Sequence, residues 1–243
     1  MQGMNESEKT NAGLISTQNI SYYDEIAAGY EGILNEDPTN DFIRAKFKAR
    51  FKAFIKSGTV MDFGGGTGLD LGWLVQEKYH IIFCEPSAGM RKIAMERSKI
   101  EFPGAPIQFL NESQTDFRNW NGGFPFEQKL NGVLANFAVI NCIPDIDLLF
   151  EKLAGAVAPG GIVLALVLEA GITKRFRSNL KGTIRSFFYG DPVSFFIKHK
   201  DKRQQVYLHS YGQIRKSAGN YFELKLPERL AGSGFSLIHL IRK

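Results

Sequence analysis

A group of glycines directly after a short apolar run constrains this chain more than any other feature. In VMDFGGGTGLD, residues 60–70, Asp62 ends a predicted buried strand, and Gly64, Gly66 and Gly68 precede a helical pattern. Glycine allows unusual backbone angles and lets a ligand lie against bare main chain. The N-terminus of the next helix adds N–H donors and a partial positive charge, which favour a carboxylate. The segment therefore predicts a strand, a ligand-binding loop and a helix in succession.

The spacing of these glycines argues against a dinucleotide. A dinucleotide site has the pattern GxGxxG, which would need a glycine in place of Leu69. The third glycine comes one residue early, so we expect a ligand smaller than a pyrophosphate. The alternative is a tight strand-to-helix turn that binds no ligand.

An acidic residue closes the next predicted strand. The apolar run 80–84 is followed by Glu85 and Pro86. A carboxylate there can accept two hydrogen bonds from a ribose diol, and hydrogen bonds to a charged group contribute about 1.5–3 kcal/mol each. Without the glycine loop, Glu85 would be interpreted as an ordinary exposed acid. Together with the loop it favours a nucleoside ligand, although it suits NAD as well as other nucleosides.

Strands and helices alternate along most of the chain. Apolar runs predict five strands, at residues 59–63, 80–84, 106–110, 130–139 and 162–168. Such alternation is typical of a doubly wound α/β fold with a parallel sheet and right-handed crossovers. The predicted strands 221–226 and 235–241 are joined by too few residues for a crossover helix, so we expect them to be antiparallel neighbours.

The remaining segments divide the chain. Residues 1–20 are polar, lack the apolar core of a signal peptide and predict a disordered tail. Residues 171–205 show no clean strand or helix period, and we interpret them as an inserted lid. The main domain then comprises residues 21–170 and 206–243.

The cysteines and the hydropathy pattern bear on the compartment. Cys84 and Cys142 are far apart in apolar surroundings and form no metal-type spacing, which favours two buried free thiols in a reducing compartment. No apolar run has the length that is needed to span a bilayer. We therefore expect a cytoplasmic protein without a transmembrane segment.

The net charge of +5 is concentrated in two stretches. In residues 44–56 the apolar side chains recur at helical spacing, so we expect a solvated helix face. Between Lys174 and Arg203, aromatic side chains alternate with Lys and Arg. Such a stretch can attract nucleic acid, an anionic membrane or an acidic substrate, or it can be a solvated surface.

From Tyr23 to Lys243 the sequence resembles the class I S-adenosylmethionine-dependent methyltransferases, and within them the broad group that acts on quinones, lipids and other small molecules. The matching segments are YYDEIAAGY, VMDFGGGTG, FCEPSAGM, QFLNES, LANFAVINCIPD, LFEKLAGAVAPGGIVLALVL, HSYGQIRKSAGNYFELKL and FSLIHLI. The resemblance implies a Rossmann-like, doubly wound α/β fold: a mostly parallel seven-stranded sheet with an antiparallel last strand, plus a small inserted lid. It also implies S-adenosyl-L-methionine as the cofactor.

The resemblance carries cofactor roles to positions of this sequence. The residues that would hold the methionine end are Asp62, Gly64, Gly65, Gly66, Thr67 and Gly68. Glu85 would hold the ribose hydroxyls, and Pro86 and Met90 would flank the adenine. Tyr23 and Tyr30 match aromatic residues of the family's N-terminal lid helix, and core packing explains them equally well.

Two further pairs follow from the resemblance. Asn136 and Phe137, at the end of the fourth predicted strand, would offer backbone carbonyls to the amine of the cofactor. Asn111 and Glu112 both stand where the family often places an acid against the adenine amino group. The usual residue is Asp, so the choice between Asn111 and Glu112 stays open.

Methyl transfer from a sulfonium is an in-line displacement from a donor that is already activated. The enzyme therefore mainly aligns the acceptor and excludes water, and alignment can contribute about 7–11 kcal/mol. A general base is needed only where the acceptor holds a proton of ill-matched pKa. The exocyclic-amine DNA methyltransferases have NPPY or DPPY where LANFAVIN stands, which sets that class aside.

Candidates for the acceptor side lie where the carboxyl ends of the strands should meet. The catalytic candidates are Asn141, His209 and Tyr211, with Glu169 as a further acceptor-side residue. His209 is the best candidate for a base, and a structural or solvated histidine is the alternative. The four histidines form no metal-ligand spacing, so we expect no metal.

The leading hypothesis is a methyltransferase for a small molecule, in which the lid covers a lipid- or quinone-like acceptor and its Lys and Arg meet anionic head groups. An RNA or protein methyltransferase with the same basic lid is the first alternative. The others are an NAD-dependent oxidoreductase and a nucleoside-binding protein without catalytic activity.

Overall fold

The computed structural model describes residues 6–121, 123–169 and 193–243. Its strands are β1 (Thr59–Phe63), β2 (His80–Cys84), β3 (Ile107–Phe109), β4 (Leu130–Ala135), β5 (Val157–Leu168), β6 (Val193–His199), β7 (Lys202–Leu208), β8 (Phe222–Leu224), β9 (Glu228–Leu230) and β10 (Phe235–Arg242). Its helices are α1 (Glu6–Ile26), α2 (Tyr30–Asn35), α3 (Thr39–Phe54), α4 (Leu71–Gln76), α5 (Ala88–Glu101), α6 (Glu112–Thr115), α7 (Ile146–Ala156) and α8 (Tyr211–Ala218). Short 3-10 turns occupy Ala27–Gly29, Phe117–Asn119 and Ile140–Cys142.

Seven strands form one sheet in the order β3-β2-β1-β4-β5-β10-β8, and β9 pairs with β10 beside it. The neighbours from β3 to β5 are parallel. β10 is antiparallel to both β5 and β8. The predicted α/β fold, with a mostly parallel sheet and an antiparallel last strand, is therefore confirmed.

The short link between the last two predicted strands predicted an antiparallel pair, and the structure confirms it. Leu240 of β10 lies opposite Leu224 of β8. The link between the two strands also contains β9, in which Leu230 lies opposite Phe235. The sequence did not predict β9, because a strand of three residues is too short to show a period of two.

Apolar side chains cover the sheet on both faces. All five residues of β1 are buried. Val60 belongs to one core cluster with Phe47 and Phe51 of α3, while Met61 belongs to a second cluster with Phe150 of α7. Successive side chains of a strand point to opposite faces, so a strand between two helix layers is apolar throughout. Both faces are thus closed, and the carboxyl ends of the strands are left for a ligand.

Of the predicted disordered tail, residues 1–20, the first five lie outside the described residues, and from Glu6 onwards the structure has a helix instead. The helix is fixed to the rest of the chain at Asn19, which is buried. The side-chain amide of Asn19 bonds to the backbone of Gln205 on β7, 186 positions away. The sequence could not show this contact, because a polar segment carries no local sign of a partner so distant.

The predicted lid, residues 171–205, lies partly outside the described residues, which omit 170–192. From Val193 onwards the chain forms an antiparallel hairpin of β6 and β7, with Val193 opposite Leu208. The sequence of β6, VSFFIKH, does not alternate between apolar and polar residues, and the strand was therefore missed. β7 also continues to Leu208, past the predicted boundary at residue 205.

Both cysteines are free thiols, Cys84 buried and Cys142 half-buried. Within the described ranges, no helix is long and apolar enough to cross a membrane. The same part of the chain contains no group of three or more His, Cys, Asp or Glu side chains that could hold a metal ion.

Candidate active site

A cavity of about 310 Å³ lies at the carboxyl ends of β1, β2 and β4. Small-molecule sites usually measure about 300–1,000 Å³, and this edge of a parallel sheet is where such sites occur. Of the residues predicted at the cofactor, those that line the cavity are Tyr23, Tyr30, Gly64, Gly66, Glu85, Pro86, Met90, Glu112, Asn136 and Phe137. The structure thus brings together most of the predicted set, and their contacts with a cofactor stay predictions.

The glycine loop follows β1 with three glycines in the left-handed region, Gly64 at φ 73°, Gly66 at 58° and Gly68 at 79°. A Cβ at Gly64 would come within 2.6 Å of Val139, and one at Gly68 within 2.8 Å of Leu71. A Cβ at Gly66 would meet only Tyr30, at 3.7 Å. Packing therefore requires glycine at 64 and 68, whereas Gly66 presents bare backbone to the cavity.

Glu85 joins the glycine loop to the start of α5. One carboxylate oxygen accepts a hydrogen bond from the N–H of Gly66 at 2.9 Å, and the other accepts one from the N–H of Ser87 at 2.8 Å. Burial raises the pKa of Glu85 to about 7, although the hydrogen bonds from Ser87 and Gly66 act in the opposite direction. The result is a carboxylate that is desolvated and already oriented toward the cavity. We call residues 62–68 together with Glu85 the cradle.

Two polar atoms of the cradle are buried without a hydrogen-bond partner in the described part of the chain. They are Oδ2 of Asp62 and Oγ1 of Thr67. Burial raises the pKa of Asp62 well above its usual value, and the charges of Asp70 and Glu85 add to this effect. Asp62 precedes Phe63 and Gly64, which line the cavity, but does not line it itself. Buried polar atoms are nearly always paired, so its unpaired carboxyl oxygen fits a ligand that brings a donor.

A buried network fixes the end of β4. The carboxylate of Asp70 accepts hydrogen bonds from Nδ2 of Asn136 at 2.9 Å and from Nε1 of Trp73 at 2.8 Å, and Nη1 of Arg44 lies 3.2 Å from it. Oδ1 of Asn136 accepts a hydrogen bond from the N–H of Phe137, whose φ is 48°. This left-handed angle is costly for an aromatic residue, so the network holds the backbone of Phe137 in a conformation that it would otherwise leave.

The choice between Asn111 and Glu112 is narrowed by the helix that follows β3. Oδ1 of Asn111 accepts a hydrogen bond from the N–H of Gln114 at 3.1 Å and so caps α6. Glu112 lines the cavity and Asn111 does not. Asn is among the best N-cap residues, and this preference was the signal that could have assigned Asn111 to the cap.

α1 lies over the cradle and is held by its polar side chains. Nδ2 of Asn19 donates to the carbonyls of Cys142 at 3.1 Å and Gln205 at 3.0 Å, while its Oδ1 accepts from the N–H of Gln205 at 2.8 Å. Oδ1 of Asp24 accepts hydrogen bonds from Oγ of Ser87 at 2.6 Å and from the N–H of Gly89 at 2.9 Å. We call α1 together with β7 the cover.

A tyrosine of the cover faces the cavity next to a thiol. Nε2 of Gln204 donates to the hydroxyl oxygen of Tyr23 at 2.7 Å and to Sγ of Cys142 at 3.0 Å. Burial raises the pKa of the Tyr23 hydroxyl well above its usual value, which keeps it protonated at neutral pH. The hydroxyl of Tyr23 also lies 3.6 Å from Sγ of Cys142, a weak acceptor for its hydrogen.

The predicted base does not face the cavity. Nε2 of His209 donates to the carbonyl of Ile143 at 2.9 Å, and burial lowers the pKa of His209 to about 4. Glu169, the further acceptor-side candidate, forms an ion pair with Arg229 at 3.3 Å. Neither His209 nor Glu169 lines the cavity. The end of a strand marks a general position, and the direction of a side chain there depends on the neighbouring loops.

The other two catalytic candidates also serve the fold. Nδ2 of Asn141 donates to the carbonyls of Tyr207 at 2.7 Å and Leu168 at 3.3 Å, and its Oδ1 accepts from the N–H of Leu168 at 2.9 Å. The hydroxyl of Tyr211 lies 3.5 Å from the carbonyl of Lys225. Both residues lie outside the cavity lining, so we do not carry Asn141, His209 or Tyr211 forward as catalytic residues.

The comparisons with known proteins agree with this geometry. Residues 39–239 match the model of a methyltransferase domain family. No curated protein matches the sequence.

Solved structures share the fold at low identity. DhpI in complex with SAH is 16% identical, with coverage of 94% of this chain and 97% of that chain and a TM-score of 0.67. A complex of DhpI with SAM and HEP is 17% identical, with coverage of 94% of this chain and 98% of that chain and a TM-score of 0.67. An S-adenosylmethionine-dependent methyltransferase from Clostridium acetobutylicum is 12% identical, with coverage of 90% of this chain and 98% of that chain and a TM-score of 0.60.

The family match spans most of the chain, and the sheet order and the glycine loop agree with it. The chain therefore belongs to the methyltransferase domain family and is an S-adenosylmethionine-dependent methyltransferase with a Rossmann-like fold.

Proposed function

We propose that the enzyme methylates a small molecule of lipid- or quinone-like character that binds inside the cavity. The observation that carries this proposal is the position of the cover, because α1 lines the cavity with Ser16, Asn19, Ile20 and Tyr23. A nucleotide base or an amino-acid side chain that stays attached to a macromolecule could reach the cavity only through an opening beside this helix. A small molecule can be enclosed completely beneath the helix.

The walls of the cavity suit an apolar acceptor. Ile20, Phe63, Val139 and Ile143 all line it. Removing apolar surface of a ligand from water contributes about 25 cal/mol per Å². Arg118, a cationic residue of the lining, is already paired with Asp116 at 2.7 Å. Because Asp116 already neutralises this cation, we expect an uncharged reacting group on the acceptor and not an anionic one.

The cradle fits S-adenosylmethionine, which supplies a methyl group activated on a sulfonium. The carboxylate of Glu85 would accept hydrogen bonds from the ribose hydroxyls, and Glu112 would meet the adenine amino group. The bare backbone at Gly64 and Gly66 leaves room for the methionine end. The unpaired Oδ2 of Asp62 would receive the ammonium group of that end.

Tyr23 is the residue best placed to orient an acceptor. Its oxygen accepts from Gln204, and its hydrogen, which now has only the weak acceptor Sγ of Cys142 at 3.6 Å, would bond better to an oxygen or nitrogen of the acceptor. A hydroxyl that stays protonated at neutral pH orients the acceptor without removing a proton from it. Alignment of this kind is the main contribution that methyl transfer asks of the protein.

A labelling experiment tests the class of acceptor. The purified enzyme is incubated with a cell extract and S-adenosylmethionine labelled in the methyl group, and the label is measured in the lipid-soluble, nucleic-acid and protein fractions. We expect label in the lipid-soluble fraction, and none there with the Glu85→Ala variant. Label confined to RNA or to protein would contradict the proposal and favour a macromolecular acceptor.

A further inference from the structure

The hairpin of β6 and β7 carries apolar and cationic side chains at its exposed end. We propose that this end docks on an anionic membrane surface and presents the cavity to an acceptor held in the bilayer. The docking itself stands on the surface of the hairpin, and only the delivery of an acceptor rests on the proposed function.

Two large apolar side chains are exposed next to each other on β6. Phe196 is 49% exposed and Ile197 is 40% exposed. Successive side chains of a strand point to opposite faces, so these two residues make both faces of the hairpin apolar at this level. Amphipathic surfaces that bind membranes place such residues at the boundary between head groups and acyl chains.

Cationic residues surround the apolar pair. The charged residues of the hairpin are Lys198, Lys200, Lys202, Arg203 and Asp201, four cations against one acid and so a net charge of +3. Lys200 is paired with Glu25 at 2.7 Å. For Lys198 and Arg203 the described residues offer no carboxylate partner within 4.0 Å.

These two cations, Lys198 and Arg203, which have no carboxylate partner among the described residues, lie directly opposite each other. Lys198 and Arg203 are cross-strand partners in the register of the hairpin. Like charges in this position repel each other, which destabilises the free hairpin. The guanidinium of Arg203 also lies 5.4 Å from the centre of the Phe196 ring, so cation and aromatic group share one face. Anionic head groups would neutralise the pair while the ring enters the boundary region, so the surface is complementary to an anionic bilayer.

The hairpin is joined directly to the cavity. Gln204, the residue after Arg203, is buried and donates to Tyr23 and Cys142, which both line the cavity. Ile197 lies opposite Gln204 and shares its face, whereas Phe196 shares the other face with Lys198 and Arg203. A membrane that takes up the end of the hairpin would contact both faces and lie one strand away from the acceptor side. An apolar acceptor could then move from the bilayer to the cavity without crossing bulk water.

The exposed aliphatic residue of β6, Ile197, favours lipid over RNA. Proteins that bind single-stranded RNA combine cations with aromatic rings on which bases stack. Phe196 could serve in this way, but Ile197 has no ring and gains free energy only by leaving water. We therefore propose a membrane and use RNA as an arm of the test.

Vesicle sedimentation with the full chain tests the docking. Vesicles of phosphatidylcholine alone are compared with vesicles that also contain phosphatidylserine. We expect the wild-type protein to sediment with the anionic vesicles only, and less so at high salt. Phe196→Ser with Ile197→Ser should weaken this binding by about tenfold or more, because both side chains lose apolar contact. Neutralising each cation, by Lys198→Gln or Arg203→Gln, should weaken it by about fivefold.

A matched control comes from the end of α5, where Lys99 precedes Ile100, which is 80% exposed. Lys99→Gln with Ile100→Ser should bind vesicles like the wild type. The thermal shift given by S-adenosylhomocysteine shows that each variant is folded, and all variants should keep it. If a double variant loses this shift, its two substitutions are tested one at a time. Equal binding to both vesicle types, unchanged binding of the hairpin variants, or binding to an RNA oligonucleotide without binding to vesicles would each overturn the proposal. Absence of label from the lipid-soluble fraction in the labelling experiment would instead count against the proposed function, since vesicle binding is measured separately.

Discussion

The cradle and the cover enclose the same cavity, but the chain builds them from contacts of very different range. The hydrogen bond between Glu85 and Gly66 joins residues 19 positions apart. The bonds of Asn19 reach 123 positions to Cys142 and 186 positions to Gln205. The cradle is thus encoded in two adjacent strand ends. The cover depends on the whole fold being in place. We therefore expect that the cradle determines the affinity for the cofactor and that the cover determines how the methyl acceptor is oriented.

The largest expected effect is on cofactor affinity in the cradle. Glu85→Ala removes the carboxylate that we assign to the ribose hydroxyls, and two hydrogen bonds to a charged group contribute about 3–6 kcal/mol together. The dissociation constant of S-adenosylhomocysteine, measured by calorimetry, should rise by about a hundredfold or more. Glu96→Ala, an exposed acid on α5, is the control and should bind like the wild type. Equal affinities of the two variants would remove Glu85 from the site.

The second expected effect is on the pH dependence of stability. The pKa of Glu85 is about 7 in the folded protein and 4.5 as its ordinary value. Because the folded pKa is raised, the stability contribution is full below pH 4.5 and is lost as the pH rises to about 7. The loss amounts to about 3 kcal/mol.

Urea unfolding of the ligand-free protein across this range measures the loss. Glu85→Gln does not titrate, so the free energy of unfolding of the wild type should fall by about 3 kcal/mol more than that of the variant. Parallel profiles would show that the burial of Glu85 does not raise its pKa.

The third effect concerns the cover. Asn19→Ala removes three hydrogen bonds, so the backbone N–H and carbonyl of Gln205 lose their partner on α1. The free energy of unfolding should fall by about 2 kcal/mol. Thr17→Ala on the same helix is the control, because its hydroxyl bonds only within the helix. If the cradle binds the cofactor independently of the cover, Asn19→Ala lowers the methyl transfer rate and leaves the affinity for S-adenosylhomocysteine almost unchanged. A parallel loss of both would mean that cradle and cover are one unit.

The smallest effect separates backbone strain from ligand contact. Gly66 at φ 58° and Gly104 at φ 78° both adopt the left-handed region, and an added Cβ has no close contact at either. Alanine at each position should cost about 1–2 kcal/mol of stability. Only Gly66→Ala should also weaken S-adenosylhomocysteine binding, by about tenfold, since only Gly66 lines the cavity. Similar binding by both variants would show that the loop does not contact the ligand.

The same contrast explains what could be predicted from the sequence. The glycine spacing and the acid at Glu85 carry their chemistry locally, and the short link before β10 required an antiparallel neighbour. The cover gave no such signal, because Asn19, Asp24 and Gln204 are ordinary polar residues until their partners are known. Their roles depend on partner atoms more than 60 positions away, in the backbone for Asn19 and Asp24 and in a side chain for Gln204.

The candidate base shows where position is not enough. The prediction placed His209 and Asn141 at the carboxyl ends of the parallel strands, but His209 follows β7 of the separate hairpin and Asn141 lies in the turn Ile140–Cys142 after β4. Both are buried, and their polar atoms bond to backbone groups, His209 to Ile143 and Asn141 to Leu168 and Tyr207. A buried amide or imidazole that supports a loop has the same residue type as one that faces a substrate. Only the direction of the side chain separates the two, and a sequence does not contain that direction.

The most direct measurement is a crystal structure of the enzyme with S-adenosylhomocysteine. We expect the ribose hydroxyls within hydrogen-bonding distance of the Glu85 carboxylate, the amino acid end along the backbone of Gly64 and Gly66, and α1 over the ligand. Density for the ligand at another place, or a ribose without contact to Glu85, would contradict it.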